Sequence, residues 1–235
     1  MVALQASIGA LNDRIDAPRD AGQKPGKPIP AGLVSPGTAT AVVALGAALG
    51  LALAAPSGPP TLALAGIVLA IGYAYDGFFK GTAWSWVPFA IGIPILPVFA
   101  WVGATGSLPS TFAILIPVAV VGGAALAIAN ACADAERDSV AGTDSVAVRL
   151  GSDRSWALNA GLLVGVMVTA VVTLAGAGEP PSGAVAAAVI ACLIGAAGIV
   201  LGRGDSGRRE RAWELEAVGL GLLAAAWLAG VRLGG

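Results

Sequence analysis

The chain has 235 residues, of which 57% are hydrophobic and 11% are charged, whereas roughly 25% of a soluble domain is charged. This composition excludes an ordinary soluble domain and indicates a polytopic membrane protein. The chain contains no histidine, which excludes histidine-based zinc sites and histidine acid–base catalysis. The formal net charge of −1 does not by itself indicate a partner, and no nucleic-acid partner is expected.

The chain opens with an apolar segment, residues 1–11, that is too short to cross a bilayer. As a helix it would reach about 16 Å, roughly half of a ~30 Å hydrocarbon core. It has no basic flank, which argues against a signal peptide. We therefore expect a partial span, in a chain that begins further upstream or has been truncated.

The first acidic cluster follows directly and reads Asn12-Asp-Arg-Ile-Asp16-Ala-Pro-Arg-Asp20. Asn12, Asp16 and Asp20 recur every four residues and would share one face of a helix. Pro18 disfavours helical backbone at Ala17. A break after Asp16 is therefore expected, and this break would move Asp20 off the shared face.

Long uncharged runs follow, since neither Pro28–Tyr75 nor Gly81–Ala133 contains Asp, Glu, Lys or Arg. Because one span takes about 20 apolar residues, each run holds two spans, divided at Pro56–Pro60 and at Gly106–Ser110. We expect the span interiors to hold no ionisable group. The complete spans are predicted at residues 38–55, 61–79, 86–104, 112–133, 156–176, 183–201 and 212–230.

Two short patterns in these spans predict particular contacts. The repeats Gly46-x-x-x-Gly50 and Gly161-x-x-x-Gly165 are spaced for close approach of helices in lipid. At the end of the second span, in Tyr75-Asp-Gly-Phe-Phe-Lys80, Asp76 lies four residues before Lys80. This spacing predicts an ion pair within one helix.

The second acidic cluster, Asp134-Ala-Glu136-Arg-Asp138, ends the fourth predicted span. Asp134 and Asp138 repeat the four-residue spacing, whereas Glu136 would point away from them on a helix. Carboxylates grouped so closely repel one another unless a cation neutralises them. Mg²⁺ takes oxygen ligands and completes its shell with substrate phosphate. Two such helix ends facing each other predict a magnesium-dependent diphosphate site, although any single carboxylate could simply be solvated at the membrane boundary.

The loops between spans differ in charge. Twelve of the 13 basic residues fall in one set of loops, whereas the opposite set holds Glu179, with Arg232 near the C-terminus. By the positive-inside rule, the basic loops and both acidic clusters face the cytoplasm. Lys24, Lys27 and Lys80 then lie on the same side of the membrane and could hold the charge of a phosphate.

These motifs resemble, in their order, those of the UbiA superfamily of intramembrane prenyltransferases, of the 4-hydroxybenzoate polyprenyltransferase type. That superfamily has an N-D-x-x-D-x-x-x-D stretch followed by a basic, proline-rich segment, which here is Lys24-Pro-Gly-Lys27-Pro-Ile-Pro. Its second Asp-rich segment is similar to Asp134–Gly142, and between the two it has a Tyr and a Lys five residues later, here Tyr75 and Lys80. Where this chain has Lys27 the family often has Arg, so bidentate phosphate contact would be lost while the charge is kept.

The resemblance implies an all-α, polytopic transmembrane helical bundle, with seven complete spans here plus a partial N-terminal one. Residues 1–235 would form one domain that lacks the family's first span. The protein would be integral to the plasma membrane, with Mg²⁺ bound between the two Asp-rich segments at the cytoplasmic face. The resemblance implies four metal ligands, Asn12, Asp16, Asp134 and Asp138, supported by Asp13 and Asp20. It implies that the diphosphate is bound by Lys24, Lys27, Tyr75 and Lys80. The catalytic residues that it implies are Asp16, Asp134, Asp138 and Lys80.

The implied activity is magnesium-dependent transfer of a prenyl group from an isoprenyl diphosphate to a small lipophilic acceptor, usually an aromatic ring, in quinone or lipid biosynthesis. A terpene cyclase would use the same site without an acceptor. A non-catalytic lipid-binding membrane protein is a second alternative, and a transporter is a third. Transporters place ionisable groups near the membrane midplane, and the expectation that the span interiors hold no such group counts against a transporter.

Overall fold

The computed structural model describes residues 1–231, so Arg232 lies outside the described residues. The described part of the chain is helical and contains no strand. A 3₁₀ turn, Ala55–Ser57, extends the second helix, and a π-helical turn, Tyr75–Phe79, extends the third. The α-helices are α1 (Val2–Gln23), α2 (Pro36–Ala54), α3 (Pro59–Ala74), α4 (Trp86–Thr105), α5 (Phe112–Val140), α6 (Val146–Leu150), α7 (Ser152–Ala175), α8 (Ser182–Leu201) and α9 (Ser206–Gly230).

Seven helical segments in the described residues are long and apolar enough to cross a membrane. They are α2 and α3 with their terminal turns, and α4, α5, α7, α8 and α9. The prediction of seven complete spans in an all-α membrane bundle is therefore confirmed. Most ends agree within a few residues, but α5 runs on to Val140 and α9 starts at Ser206, because both helices continue past their apolar part into charged sequence.

The first of two compact units consists of Met1–Lys80 and Ile95–Leu108. Its core forms around Leu4 of α1, which is fully buried beside Ala54, Ala65 and Val68. The hydroxyl of Ser7 lies 2.6 Å from the Val43 carbonyl oxygen and 2.6 Å from the Tyr73 hydroxyl. These contacts join α1 to both α2 and α3, so the apolar N-terminal segment is a packed helix of this unit.

Glycines on α2 allow this close approach of α1. A Cβ at Gly50 would lie 2.3 Å from the side chain of Leu4, and one at Gly46 would lie 2.9 Å from the carbonyl oxygen of Ala3. The first glycine repeat therefore makes the close helix contact that its spacing predicts. The prediction was wrong for Gly161 and Gly165, which are exposed and would have nothing within 4 Å of an added Cβ.

The second unit contains Gly81–Pro94 and the described residues from Pro109 onward. One of the points where the chain passes between the two units, from Pro94 to Ile95, falls within α4. In this unit α5 is the most extensively buried of the candidate spans. Helices α8 and α9 meet closely, since a Cβ at Gly219 would lie 3.0 Å from the backbone nitrogen of Gly195. Near the acidic end of α5, a small core of Ile128, Cys132 and Val146 joins α5 to the short helix α6.

Candidate functional site

The first acidic cluster lies on one continuous helix. Helix α1 passes through Pro18 and ends at Gln23, so the expected break after Asp16 is wrong and Asp20 stays on the face of Asn12 and Asp16. An interior proline costs roughly 3 kcal/mol of helix stability. Tertiary contacts offset this cost, because α1 is anchored by its buried apolar half before the proline and by ion pairs on both sides of it. Asp16 and Asp20 are themselves buried, at 8% and 2% exposure.

Lys27 folds back onto the cluster from the loop after α1. Its Nζ lies 2.9 Å from Asp13 Oδ1 and 2.8 Å from Asp20 Oδ2. The loop starts tightly, with the Lys24 backbone N–H donating to the Asp20 carbonyl over 2.7 Å. Burial acts to lower the pKa of Lys27, but its contacts with Asp20 and Asp13 outweigh burial and raise the pKa above 10.5. Lys27 is therefore held as a cation beside two carboxylates, whereas Lys24 is exposed at the end of α1.

The π-turn brings a second pair of charges to the same helix. Its register is set by a bond from the Lys80 backbone N–H to the Tyr75 carbonyl oxygen, 2.8 Å long. The side chain of Lys80 donates to Asp16 Oδ2, and Arg19 Nη2 lies 3.5 Å from the other oxygen of Asp16. Asn12, Asp13, Asp16, Asp20, Lys27 and Lys80 are thus gathered in one unit, with Tyr75 at the start of the turn.

Asp76 also belongs to this site, although its spacing in the sequence predicted only a pair with Lys80. It is 5% exposed, and its Oδ1 accepts a hydrogen bond of 2.7 Å from Asn12 Nδ2. The predicted pair between Asp76 and Lys80 is therefore wrong. Residues four apart adjoin on an α-helix, whereas the π-turn closes bonds between residues five apart, so its two charged side chains take separate partners on α1. A carboxylate within an apolar run was the signal that could have identified Asp76.

The second acidic cluster lies on the last turns of α5, in the other unit. Asp134 and Asp138 are on the same helix at the predicted spacing, and Asp134 pairs with Arg137. Glu136 receives a hydrogen bond from Arg209 of α9, whose guanidinium is buried. Glu136 therefore has its own partner. This agrees with the prediction that Glu136 points away from Asp134 and Asp138.

The donor chemistry of these residues fits a magnesium ion. In the described part of the chain, no three His, Cys, Asp or Glu side chains are arranged to hold a metal by themselves. Mg²⁺ does not need such a cage, because it commonly uses one or two carboxylates together with waters and substrate phosphate. In the first unit all candidate ligands are oxygens, and Asp76 Oδ2 is a buried acceptor without a hydrogen-bond partner. A cation held by Asn12 and Asp16 would compensate that buried oxygen.

A separate polar cluster lies inside the second unit. Glu216 of α9 is 1% exposed, and both of its carboxylate oxygens lie 3.0 Å from Asn159 Nδ2 of α7. The expectation of span interiors without ionisable groups was therefore wrong. Helix α9 begins at Ser206, six residues before the predicted span, so Glu216 lies well inside the helix. The position of Glu216, four residues after the start of the predicted span 212–230, was the sequence signal that could have identified this buried carboxylate.

Comparisons with known proteins agree with this architecture. The profile of the UbiA prenyltransferase family matches residues 1–229, and no curated protein matches the chain by sequence. The apo structure of a UbiA homolog from Aeropyrum pernix K1 aligns with a TM-score of 0.75 at 20% identity, covering 97% of this chain and 85% of that one. A structure concerning digeranylgeranylglyceryl phosphate synthase in membranes aligns with a TM-score of 0.72 at 18% identity, covering 97% and 81%.

Proposed function

Because the chain belongs to the UbiA prenyltransferase family, we propose that it transfers a prenyl group from an isoprenyl diphosphate to a lipophilic acceptor in a Mg²⁺-dependent reaction. The observation that carries this proposal is the charge arrangement of the first unit. There, Asn12, Asp16 and two lysine side chains are drawn together from α1, the following loop and the π-turn. Oxygen ligands that can bind a cation lie here beside lysine ammonium groups. This combination suits a diphosphate, whose negative charges are neutralised partly by the cation and partly by the lysines.

The metal ligands in this proposal are the four residues that the family resemblance implies, Asn12, Asp16, Asp134 and Asp138. When bound, Mg²⁺ supplies positive charge that stabilises the departing diphosphate. Asp13 and Asp20 support the ligands indirectly, since both lie within contact distance of Lys27.

Lysine side chains bind the phosphate groups that the metal does not neutralise. Lys27 and Lys80 each present an ammonium group at the carboxylate cluster, and charge-assisted hydrogen bonds to phosphate are among the strongest in proteins. We assign Lys24 and Tyr75 to the same diphosphate because they flank these two lysines on the loop and the π-turn. Substrate and metal can be recognised together in this way without histidine.

The reaction itself breaks the bond between the allylic carbon and the diphosphate oxygen. The electron pair leaves with the diphosphate, the cationic carbon bonds to an electron-rich atom of the acceptor, and the acceptor then releases a proton. Water must be kept from the cation, and an active site among apolar spans provides that exclusion. An aromatic acceptor, as a quinone precursor, is our first candidate, and the solved digeranylgeranylglyceryl phosphate synthase adds phosphoglycerol lipids to the acceptors worth testing.

We further propose that the site faces the cytoplasm from the plasma membrane. The basic segments between the predicted spans, which contain Lys27, Lys80 and Arg209, lie on the same side of the predicted topology as both acidic clusters. The positive-inside rule places that side in the cytoplasm. Soluble isoprenyl diphosphate would then reach the site directly.

The test uses membranes that contain the full chain, incubated with radiolabelled geranylgeranyl diphosphate and a pool of aromatic and phosphoglycerol acceptors. Label should pass to a new lipid product in Mg²⁺ and not in EDTA. Diphosphate release with a cyclised hydrocarbon as product would instead identify a terpene cyclase. No turnover, with the protein confirmed in the membrane, would favour a non-catalytic lipid-binding protein or a transporter.

A further inference from the structure

Two hydrogen bonds join α1 to the π-turn in the same register. Asn12 donates to Asp76 and Lys80 donates to Asp16, and each pair is 64 residues apart in the chain. Asn12 and Asp16 are one helical turn apart on α1. The π-turn therefore holds two successive positions of the proposed metal-binding face, one by a carboxylate and one by an ammonium group.

We propose that Asp76 is a positioning residue that orients the Asn12 amide so that its carbonyl oxygen is available to the cation. The inference rests on the proposed function, in which Asn12 is a metal ligand. Asp76 itself acts through Asn12 in this account and does not need to touch the metal.

The Asn12 amide has one end that donates hydrogen bonds and one end that accepts them. A carboxylate oxygen accepts hydrogen bonds and an amide nitrogen donates them, so a bond between the two turns the NH₂ group of Asn12 toward Asp76. The 2.7 Å bond to Asp76 Oδ1 has this arrangement. Oδ1 of Asn12 then points to the opposite side of the amide. A hard cation binds that oxygen and is repelled by the NH₂ group, so a flipped amide would be a poor ligand.

The local backbone explains why Asp76 can do this. In a regular α-helix Asp76 would adjoin Lys80 and the two charges would satisfy each other. The π-turn from Tyr75 to Phe79 changes that register, and single π-turns occur frequently at functional sites. Asp76 is consequently buried against Asn12, with a carboxylate oxygen committed to one donor.

The experiment measures Mn²⁺ binding to the full chain in detergent by electron paramagnetic resonance, with and without inorganic diphosphate. Asp76→Asn replaces the acceptor by a group that can also donate to Asn12 Oδ1, so the amide is no longer fixed. We expect Mn²⁺ binding to weaken by about tenfold or more, the usual effect of losing a group that orients a metal ligand. Asp153→Asn, the same change at an exposed position of α7, should bind Mn²⁺ like the wild type.

A double-mutant cycle separates positioning from a general structural role. If Asp76 acts through Asn12, Asp76→Asn should change Mn²⁺ affinity by less than about twofold in an Asn12→Ala background, because coupled residues are not additive. Asp76→Ala repeats the cycle with no replacement amide, and thermal melting checks that each variant is folded. Additive losses, or wild-type affinity in both Asp76 variants, would overturn the inference alone. A wild-type chain that binds no Mn²⁺ would overturn the proposed function and this inference with it.

Discussion

Lys80 donates a hydrogen bond to Asp16 although 64 residues separate them in the chain. The ammonium group therefore lies at a proposed metal ligand, and both side chains are largely withdrawn from solvent. A diphosphate bound to a cation at Asp16 would be within reach of the same lysine. The Lys80 ammonium group and the Asp16 carboxylate, which pair with each other in the protein, are thus the same groups that would bind the substrate and its cation.

Lys80→Ala should weaken binding of the isoprenyl diphosphate far more than binding of the acceptor. Losing one hydrogen bond between charged groups costs roughly 1.5–3 kcal/mol, which is about 10- to 150-fold in affinity. Steady-state kinetics with each substrate varied in turn would measure KM for both. Arg154→Ala, at an exposed position, is the matched control. An equal rise in KM for donor and acceptor would argue against a phosphate role for Lys80.

Lys27→Ala should lower both stability and activity, whereas Lys27→Arg should keep most of each. The alanine leaves Asp20, whose side chain is 3% exposed, without its cation, and we expect a loss of about 1–2 kcal/mol after allowing for partial exposure of the lysine. Thermal unfolding in detergent and the transfer assay would measure the two effects. Alanine and arginine variants of equal stability would contradict this account.

The contribution of Lys27 to stability should not vary between about pH 6 and pH 9. The pKa of Lys27 is raised in the folded protein, so this contribution is fully present below the unfolded pKa of about 10.4 and is lost only as pH rises through the folded value. Comparing the melting temperatures of the wild type and Lys27→Ala across that range would test the prediction. A difference that disappears below pH 9 would contradict it.

Gly50→Ala should destabilise the first unit, whereas Gly161→Ala should have little effect. A Cβ at Gly50 would clash with Leu4, which is fully buried, while a Cβ at Gly161 meets nothing within 4 Å. Overpacking of this kind costs typically about 1–3 kcal/mol. Melting temperatures of the two variants, each of which changes one glycine of a Gly-x-x-x-Gly repeat, provide the comparison. Equal melting temperatures would mean that α1 does not pack on α2 as described.

Glu216→Gln should retain activity, whereas Glu216→Ala should unfold at lower temperature. Glutamine preserves the shape of the side chain and one acceptor for Asn159, while alanine leaves that buried amide without its partner at a cost of about 1–3 kcal/mol. Glu214→Gln, two residues away and exposed, is the control. If Glu216→Gln abolished transport or turnover while remaining folded, the charge itself would be functional and the ion-coupled alternative would gain support.

The spans could be predicted from the sequence because lipid imposes a length and a composition on them. The uncharged run Pro28–Tyr75 already specifies two helices and a turn. The ends were harder, since α9 begins in the charged stretch before the predicted span. Hydropathy predicts which part of a helix is apolar. It does not predict where the backbone hydrogen bonds of the helix begin and end.

The residues of the site could be predicted, but not how they pair. The four-residue spacing of Asn12, Asp16 and Asp20 identified the face of α1, yet local propensity at Pro18 wrongly suggested that the face would be interrupted. The pairing of Asp76 with Asn12 depends on a π-turn, and no short-range sequence rule gives the register of such a turn. Tertiary packing determines both the continuation of α1 through Pro18 and the pairing of Asp76 with Asn12.

The most direct test of the central claim compares Asp16→Asn and Asp134→Asn with Asp153→Asn in the prenyl transfer assay, at saturating Mg²⁺ and in EDTA. The first two variants remove one negative charge from each proposed cluster, and the third removes the same charge from an exposed site. We predict that both cluster variants lose transfer by about 100-fold or more, because a bound metal ion supplies several kcal/mol of transition-state stabilisation and about 1.4 kcal/mol corresponds to tenfold in rate. Both variants should remain in the membrane, and Asp153→Asn should be fully active. Wild-type transfer in either cluster variant would contradict the assignment of its carboxylates to the metal.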